Sequence, residues 1–380
     1  MILIKGAHVF SPEDLGVKDI MIIHDRIVMI GDELPLISDE MVVIDGKDKI
    51  LMPGLIDGHV HITGGGGEGS FKTRVPEITL SKLIGGGITT TMGLLGTDST
   101  TKSVENLVAK AKALKEEGVT CLAVTGSYGY PSVTITGSVK KDIVFIDEVI
   151  GVKIAISDHR APSISDEELA RLASDVRVAG MLSGKAGIVV THMGSSDHGL
   201  LPINNVIERW DVPIRTFRPT HVNRKEELLL ESFEFAKKGG VIDLTCGIYE
   251  EMSPARVVGL AKEKGVPSEN ITISSDGYGS WSRYDEKGNL VKIGVSSVSS
   301  LFTELKKMVM DNKMSLNEAL PYFTTNVSRA LGIYPAKGLV SEGSDADLVL
   351  VDKDFNLEYV IARGQIMMQN KEIIVKGTYE

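Results

Sequence analysis

Cysteine is scarce in this chain, and its scarcity excludes one class of protein at once. Cys121 and Cys246 are its two thiols in 380 residues. They cannot build a disulfide framework, and both stand in apolar runs, as buried thiols of a reducing compartment do. Positive charge is also short: 41 lysines and arginines face 51 aspartates and glutamates, a formal net charge of −10. That balance argues against nucleic acid or an anionic membrane as the main partner, while leaving room for a local cationic pocket that binds a small anion. No apolar run reaches the roughly 18 residues of a membrane-spanning helix. The opening MILIKGAHVFSPEDLG has no basic stretch followed by an apolar one, so a cytoplasmic protein is the expectation. What remains, 42% hydrophobic and 24% charged residues, is the composition of a globular chain with room for one large domain and a small one.

The most informative stretch is Pro53-Gly54-Leu55-Ile56-Asp57-Gly58-His59-Val60-His61. An apolar segment leads into a His-x-His pair, and a strand puts alternate side chains on one face. His59 and His61 therefore point the same way at a strand end, which suits a divalent metal. One such pair is a weak signal by itself, so its meaning depends on partners elsewhere in the chain.

Short β-like bursts, such as Ile20–Ile23 and Ile27–Ile30, fill the first 50 or so residues, and Asp347–Val351 and Leu357–Ile361 give the C-terminus the same texture. The pattern predicts one small β-sandwich domain built from residues 1–51 and 338–380. The middle, residues 52–337, alternates strand-like runs with amphipathic helical stretches at 103–117, 165–182, 225–238 and 254–264. Eight strand candidates can be counted, the sixth over 214–221. This α/β pattern predicts a (β/α)8 TIM-like barrel, whose typical size is about 250 residues. An open doubly wound sheet would need a glycine-rich phosphate loop opening a helix. Gly64-Gly65-Gly66-Gly67 opens none, and reads better as backbone coming close to a ligand beside the His-x-His pair.

Several strand candidates end in residues able to do chemistry. The first ends in His59 and His61, the fifth in His192, the sixth in His221 and the eighth in Asp276; the fourth contains Lys153, and the third runs into Tyr128. In a (β/α)8 barrel these ends form one rim, where active sites sit. Taken singly, each has a bland reading: a strand-end histidine can be structural, Asp276 a cap, Lys153 a snorkelling surface residue. Gathered on one rim, four histidines, a lysine and an aspartate are what a two-metal hydrolase requires. Lys153 lies in an apolar run, where desolvation favours the neutral amine. A neutral amine can add carbon dioxide, becoming an anionic carbamate that bridges two metals.

These residues in this order resemble the amidohydrolase superfamily. The stretches GHVHITGGGGEGS, GLLGTDS, SYGYPSVTITGSV, GVKIAISDHR, THMG, PTHVNR and SSDGYGS are most similar to its isoaspartyl (β-aspartyl) dipeptidase branch. The resemblance implies two Zn2+ per subunit and a carboxylated Lys153, with His59, His61 and Asp276 on one zinc and His192 and His221 on the other. It makes Asp276 the proton carrier and places Gly66, Gly67, Glu68, Thr97, Tyr128, Arg160, Arg224 and Ser280 around a small dipeptide substrate. It also implies a homo-oligomer, often an octamer. An isoaspartyl dipeptide carries one ammonium and two carboxylates. Glu68 suits the ammonium, and Arg160 and Arg224 suit the carboxylates; which arginine takes which is open. The expected chemistry is attack by a zinc-bridging hydroxide on the side-chain amide, with Tyr128 stabilising the oxyanion. Two alternatives stand beside it. One is an amidohydrolase acting on a cyclic amide or N-acyl amino acid, disfavoured because Ile62-Thr63 replaces the arginine that dihydroorotase-like enzymes carry after the His-x-His pair. The other is a non-catalytic oligomeric scaffold, disfavoured because all six candidate ligands are present.

Overall fold

The computed structural model describes residues 1–247, 250–287 and 289–380. Eight parallel strands lie side by side in chain order: β1 (Leu55–Val60), β2 (Ile88–Gly93), β3 (Thr120–Gly126), β4 (Val149–Ile156), β5 (Ile188–Met193), β6 (Phe217–Thr220), β7 (Ile242–Thr245) and β8 (Ile271–Ser274). Every residue of β1, β2, β4 and β5 is buried, as strands covered on both faces must be. The circle closes between β8 and β1 through a seam. Val60 bridges Gly277 in parallel, and the His61 N–H donates to the Gly277 carbonyl at 2.9 Å. The Asp57 carboxylate accepts the Ser275 N–H at 3.2 Å.

Helices Val104–Glu116, Asp166–Ser183, Glu226–Lys237 and Pro254–Glu263 fall where the apolar spacing places them. The second begins with a reciprocal cap between Ser165 and Glu168 and stops at Gly184, whose φ of 67° is the left-handed conformation glycine tolerates. The sixth strand is shorter than the expected 214–221. Ile214–Thr216 form a 3₁₀ turn in which the Thr216 N–H bonds back to the Pro213 carbonyl at 2.9 Å, so the sheet ladder starts at Phe217. An unexpected antiparallel hairpin, Ser280–Tyr284 with Leu290–Val295, follows β8.

The terminal segments form one nine-stranded sheet whose halves join where Ile50–Pro53 runs antiparallel to Leu348–Val351. Alternation sorts its two faces. Leu51, Leu348 and Leu350 join Ile4, Ile20 and Ile22 in the small domain's own core, whereas Met52, Val349 and Val351 turn into the barrel's core. A slip of one residue would exchange the two sets. Among the described residues no helix is long and apolar enough to cross a membrane.

Inside the barrel, Arg218 of β6 is almost completely buried. Its guanidinium donates to Asp243 Oδ1 at 2.9 Å, to Thr272 Oγ1 at 3.1 Å and to the Gly58 carbonyl at 3.3 Å, tying β6 to β7, β8 and β1. Gly58 is required for this approach, since a Cβ there would lie 2.6 Å from the Arg218 guanidinium. Replacing Arg218 by methionine leaves Asp243 buried without its cation, so Arg218→Met should lose roughly 3–5 kcal/mol of stability in chemical denaturation. A loss below about 1 kcal/mol would show that the ion pair does not hold these strands together.

Candidate active site

All six expected ligands gather at the C-terminal end of the barrel, where His61, His192, His221 and Asp276 line one cavity and His59 and Lys153 are buried among them. His59 lies in β1 and His61 one residue beyond its end; Lys153 is inside β4 and His192 inside β5. His221 follows β6 in a left-handed conformation (φ 62°) and Asp276 follows β8 in another (φ 51°). Those two backbone turns carry the side chains back over the strand ends. Lys153 Nζ is 2.9 Å from His59 Nε2. Asp276 Oδ1 lies 3.2 Å from His61 Nε2 and 3.5 Å from His59 Nε2. The His221 ring sits 4.8 Å from both the His59 and the His192 rings, centroid to centroid. One ligand atom each from His59, His221 and Asp276 lie within 4.8 Å of one another. This tight trio straddles the two ligand sets that the resemblance implies.

Burial governs the charge states. Desolvation drives His59, His192 and His221 well below the usual histidine range and lowers His61 as well, so burial favours the neutral form of each ring. It brings the Lys153 ammonium down to about 7. Burial would raise Asp276 too, but the neighbouring His221, His61 and Lys153 outweigh it and hold that carboxyl at about 2. Neutral imidazoles and an ionised carboxylate are the protonation states a divalent cation needs. His59 Nδ1, His61 Nδ1 and Asp276 Oδ1 are buried without a hydrogen-bond partner, so the donor set fits a bound metal.

The other expected residues, Gly67 excepted, line the same cavity, of about 480 Å³. Tyr128 Oη is 2.8 Å from His192 Nδ1, and burial pushes its phenol well above the ordinary range. Glu68 accepts from Ser280 Oγ at 2.9 Å, from Thr97 Oγ1 at 3.3 Å and from Arg160 Nη1 at 3.4 Å. Arg224 lines the cavity, and burial lowers its pKa; among the described residues its guanidinium has no carboxylate within ion-pair distance. Gly66 lines the cavity in a left-handed conformation (φ 82°), and a Cβ there would lie 2.3 Å from the Thr73 carbonyl. Gly67 is in the same loop (φ 99°) but does not face the cavity.

Sequence reasoning missed three features. The Asp158 side chain is nearly inaccessible to solvent and grips Arg160 at both Nε (2.8 Å) and Nη2 (2.9 Å) while lying 3.1 Å from His192 Nε2. It stands two residues past β4, at the same rim position that drew attention to Arg160. Asp57 has the parity of His59 and His61, so period-two alternation already pointed it inward; burial raises it to about 7. The hairpin contributes Trp281, Arg283 and Lys292 to the cavity wall, and the strand-like residues on either side of a polar stretch of sequence were the available signal.

The comparisons with known proteins agree with this geometry. The model of the amidohydrolase family matches residues 50–199 and 253–367. The solved structure of β-aspartyl dipeptidase from Fervidobacterium islandicum AW-1, in complex with the β-Asp-Leu dipeptide, is 44% identical, covers 98% of both chains and superposes with a TM-score of 0.92. Among curated proteins, a dihydroorotase from Clostridium botulinum is 24% identical over 361 residues, 88% of this chain and 83% of its own length. An imidazolonepropionase from Colwellia psychrerythraea is 22% identical over 343 residues, 81% of this chain and 77% of its own. With a family match over most of its length and a barrel rim bearing histidines, a lysine and an aspartate, the chain belongs to the amidohydrolase family.

Proposed function

We propose that this chain is a zinc-dependent dipeptidase that hydrolyses the side-chain-linked amide of isoaspartyl dipeptides. The observation that carries the reading is the charge pattern of one cavity. A carboxylate, Glu68, and two guanidinium groups, Arg160 and Arg224, surround the histidine–Asp276 cluster. That pattern complements a ligand with one ammonium and two carboxylates, and the 44% identity to a β-aspartyl dipeptidase supports it.

His59, His61, Lys153, His192, His221 and Asp276 would hold two zinc ions, with Lys153 as its carbamate. When bound, the metals supply Lewis acidity and lower the pKa of water toward neutrality. The chain's own groups do the rest. Asp276, ionised in this setting, accepts the proton of the attacking water at a carboxylate oxygen and later delivers it to the leaving amine. Tyr128 keeps its proton because burial raises its pKa, so Oη can donate to the amide oxygen as charge develops there. Glu68 receives the substrate ammonium. Arg224, uncommitted to any carboxylate among the described residues, takes a substrate carboxylate; Arg160, oriented by Asp158, presents its Nη1 edge beside Glu68 and Thr97. The adjacent helices Val139–Phe145 and Asp166–Ser183 leave Phe145, Met181 and Leu182 exposed, which supports self-association into a homo-oligomer, octameric if it follows the family resemblance.

A substrate panel tests the activity. β-Asp-Leu should be hydrolysed, whereas α-Asp-Leu, dihydroorotate and a hydantoin should not; turnover confined to a cyclic amide would overturn the reading. Asp276→Asn should lower kcat roughly 100- to 10,000-fold. Tyr128→Phe should lower kcat about 100- to 1,000-fold with a smaller change in KM. Unchanged kcat in Tyr128→Phe would remove the phenol from the mechanism. Lys153→Ala should strip the metal, read by elemental analysis as a fall from roughly two zinc ions per chain toward none, with recovery on adding a short carboxylate. Full metal content in that variant would rule out a lysine-derived ligand.

A further inference from the structure

The hairpin Ser280–Tyr284 with Leu290–Val295 hangs over the cavity and presents a surface that the chemistry above does not use. Trp281 stands opposite Gly294 across the two strands. The indole lies so close to that glycine that a Cβ at position 294 would be 2.1 Å from the ring. Lys292 Nζ sits 5.2 Å from the Trp281 ring centroid, and Arg283 pairs directly with Lys292 in the strand register. Trp281, Arg283 and Lys292 all line the cavity. Two like charges opposite each other across a strand pair repel, and among the described residues neither forms an ion pair with a carboxylate. Asp285, in the connection between the two strands, makes no ion pair with either cation among the described residues and is oriented by its own segment. Its oxygens accept from the Lys287 N–H at 2.9 Å, the Asn289 N–H at 2.8 Å and the Asn289 side chain at 3.1 Å. In a chain of net charge −10, two unpaired cations and a fixed aromatic face at a cavity mouth form a surface suited to an anion on a short carbon stem.

We infer that this hairpin face is a specificity subsite, reading the residue after isoaspartate and favouring a side chain that ends in a carboxylate. The inference builds on the dipeptidase reading and names the class of leaving residue: glutamate or aspartate ahead of a neutral side chain of equal size. The methylene groups would lie on Trp281 while the carboxylate meets Arg283 and Lys292. Because both cations are exposed, the preference should weaken as salt rises.

The test compares β-Asp-Glu with β-Asp-Gln, which differ in charge and hardly in shape. The zinc-loaded enzyme should show a kcat/KM ratio of roughly three- to tenfold in favour of glutamate, the size expected of one or two exposed ion pairs. The ratio should fall toward one at high salt and in the double variant Arg283→Gln/Lys292→Gln. A ratio near one in the unaltered enzyme, or an unchanged ratio in the double variant, would overturn the inference while leaving the dipeptidase reading in place. A second measurement needs no turnover: quenching of Trp281 fluorescence in a Trp210→Phe background by free L-glutamate and by L-glutamine. Tighter binding of glutamate, lost in the double variant, supports the subsite even if no β-aspartyl peptide is cleaved. Equal binding of the two amino acids counts against it.

Discussion

The site depends on how the barrel closes. A circular sheet must join its last strand to its first, and here the join is made by few contacts, which have to be placed well. Asp57 reaches from β1 to the Ser275 N–H, and His61 donates to the Gly277 carbonyl. Arg218 crosses beneath them to the Gly58 carbonyl. Three of the six expected ligands, His59, His61 and Asp276, are neighbours of these residues in the chain. The hydrogen bonds that shut the cylinder therefore also set the separation between the His-x-His pair and the aspartate. A site built on strand ends in this way holds its geometry far better than one built on loops.

Burial gives the same six groups their chemical character. Removing water favours the neutral form of each ionisable group, and the four histidines and Lys153 follow that rule. Asp276 does not, because His221, His61 and Lys153 stand close enough to outweigh desolvation. Asp158 departs from the rule in the same direction through its bonds to Arg160 and His192. Among the six candidate ligands the negative charge therefore rests on Asp276, beside four histidine rings whose neutral form burial favours. That combination of one carboxylate with neutral imidazoles is the donor chemistry a divalent cation requires.

Much of this was legible in the sequence because the informative residues obey simple periods. Alternation placed His59 and His61 on one face, and the recurrence of chemically able residues at strand ends placed His192, His221 and Asp276 on one rim. The four helices were legible from apolar spacing. What escaped was of two kinds. The buried charges Asp57, Arg218 and Asp243 lie inside apolar runs, where sequence reads hydrophobicity and the pairing that makes burial tolerable is visible only in three dimensions. The 3₁₀ turn at Ile214–Thr216 and the hairpin after β8 depend on local backbone hydrogen bonds, and β-branched or aromatic composition does not distinguish these from continued strand or loop.

The two kinds of structure around the cavity carry different duties. The barrel strands and their ends hold the candidate metal ligands, whose side chains are buried and closely packed on one another, so substitutions there would disturb folding and the site together. The glycine loop and the hairpin lie outside the cylinder and touch each other, with Gly69 packed against Leu290 and the Gly65 N–H bonded to the Tyr278 carbonyl at 2.8 Å. Glu68 sits on one of these segments and Ser280, Trp281, Arg283 and Lys292 on the other. Their side chains are more exposed and mostly meet the cavity rather than the core. Under the proposed function, recognition of a dipeptide's two ends would therefore change by substitution in these segments without reopening the seam or moving Asp276, in keeping with a barrel fold that supports many chemistries by varying its loops.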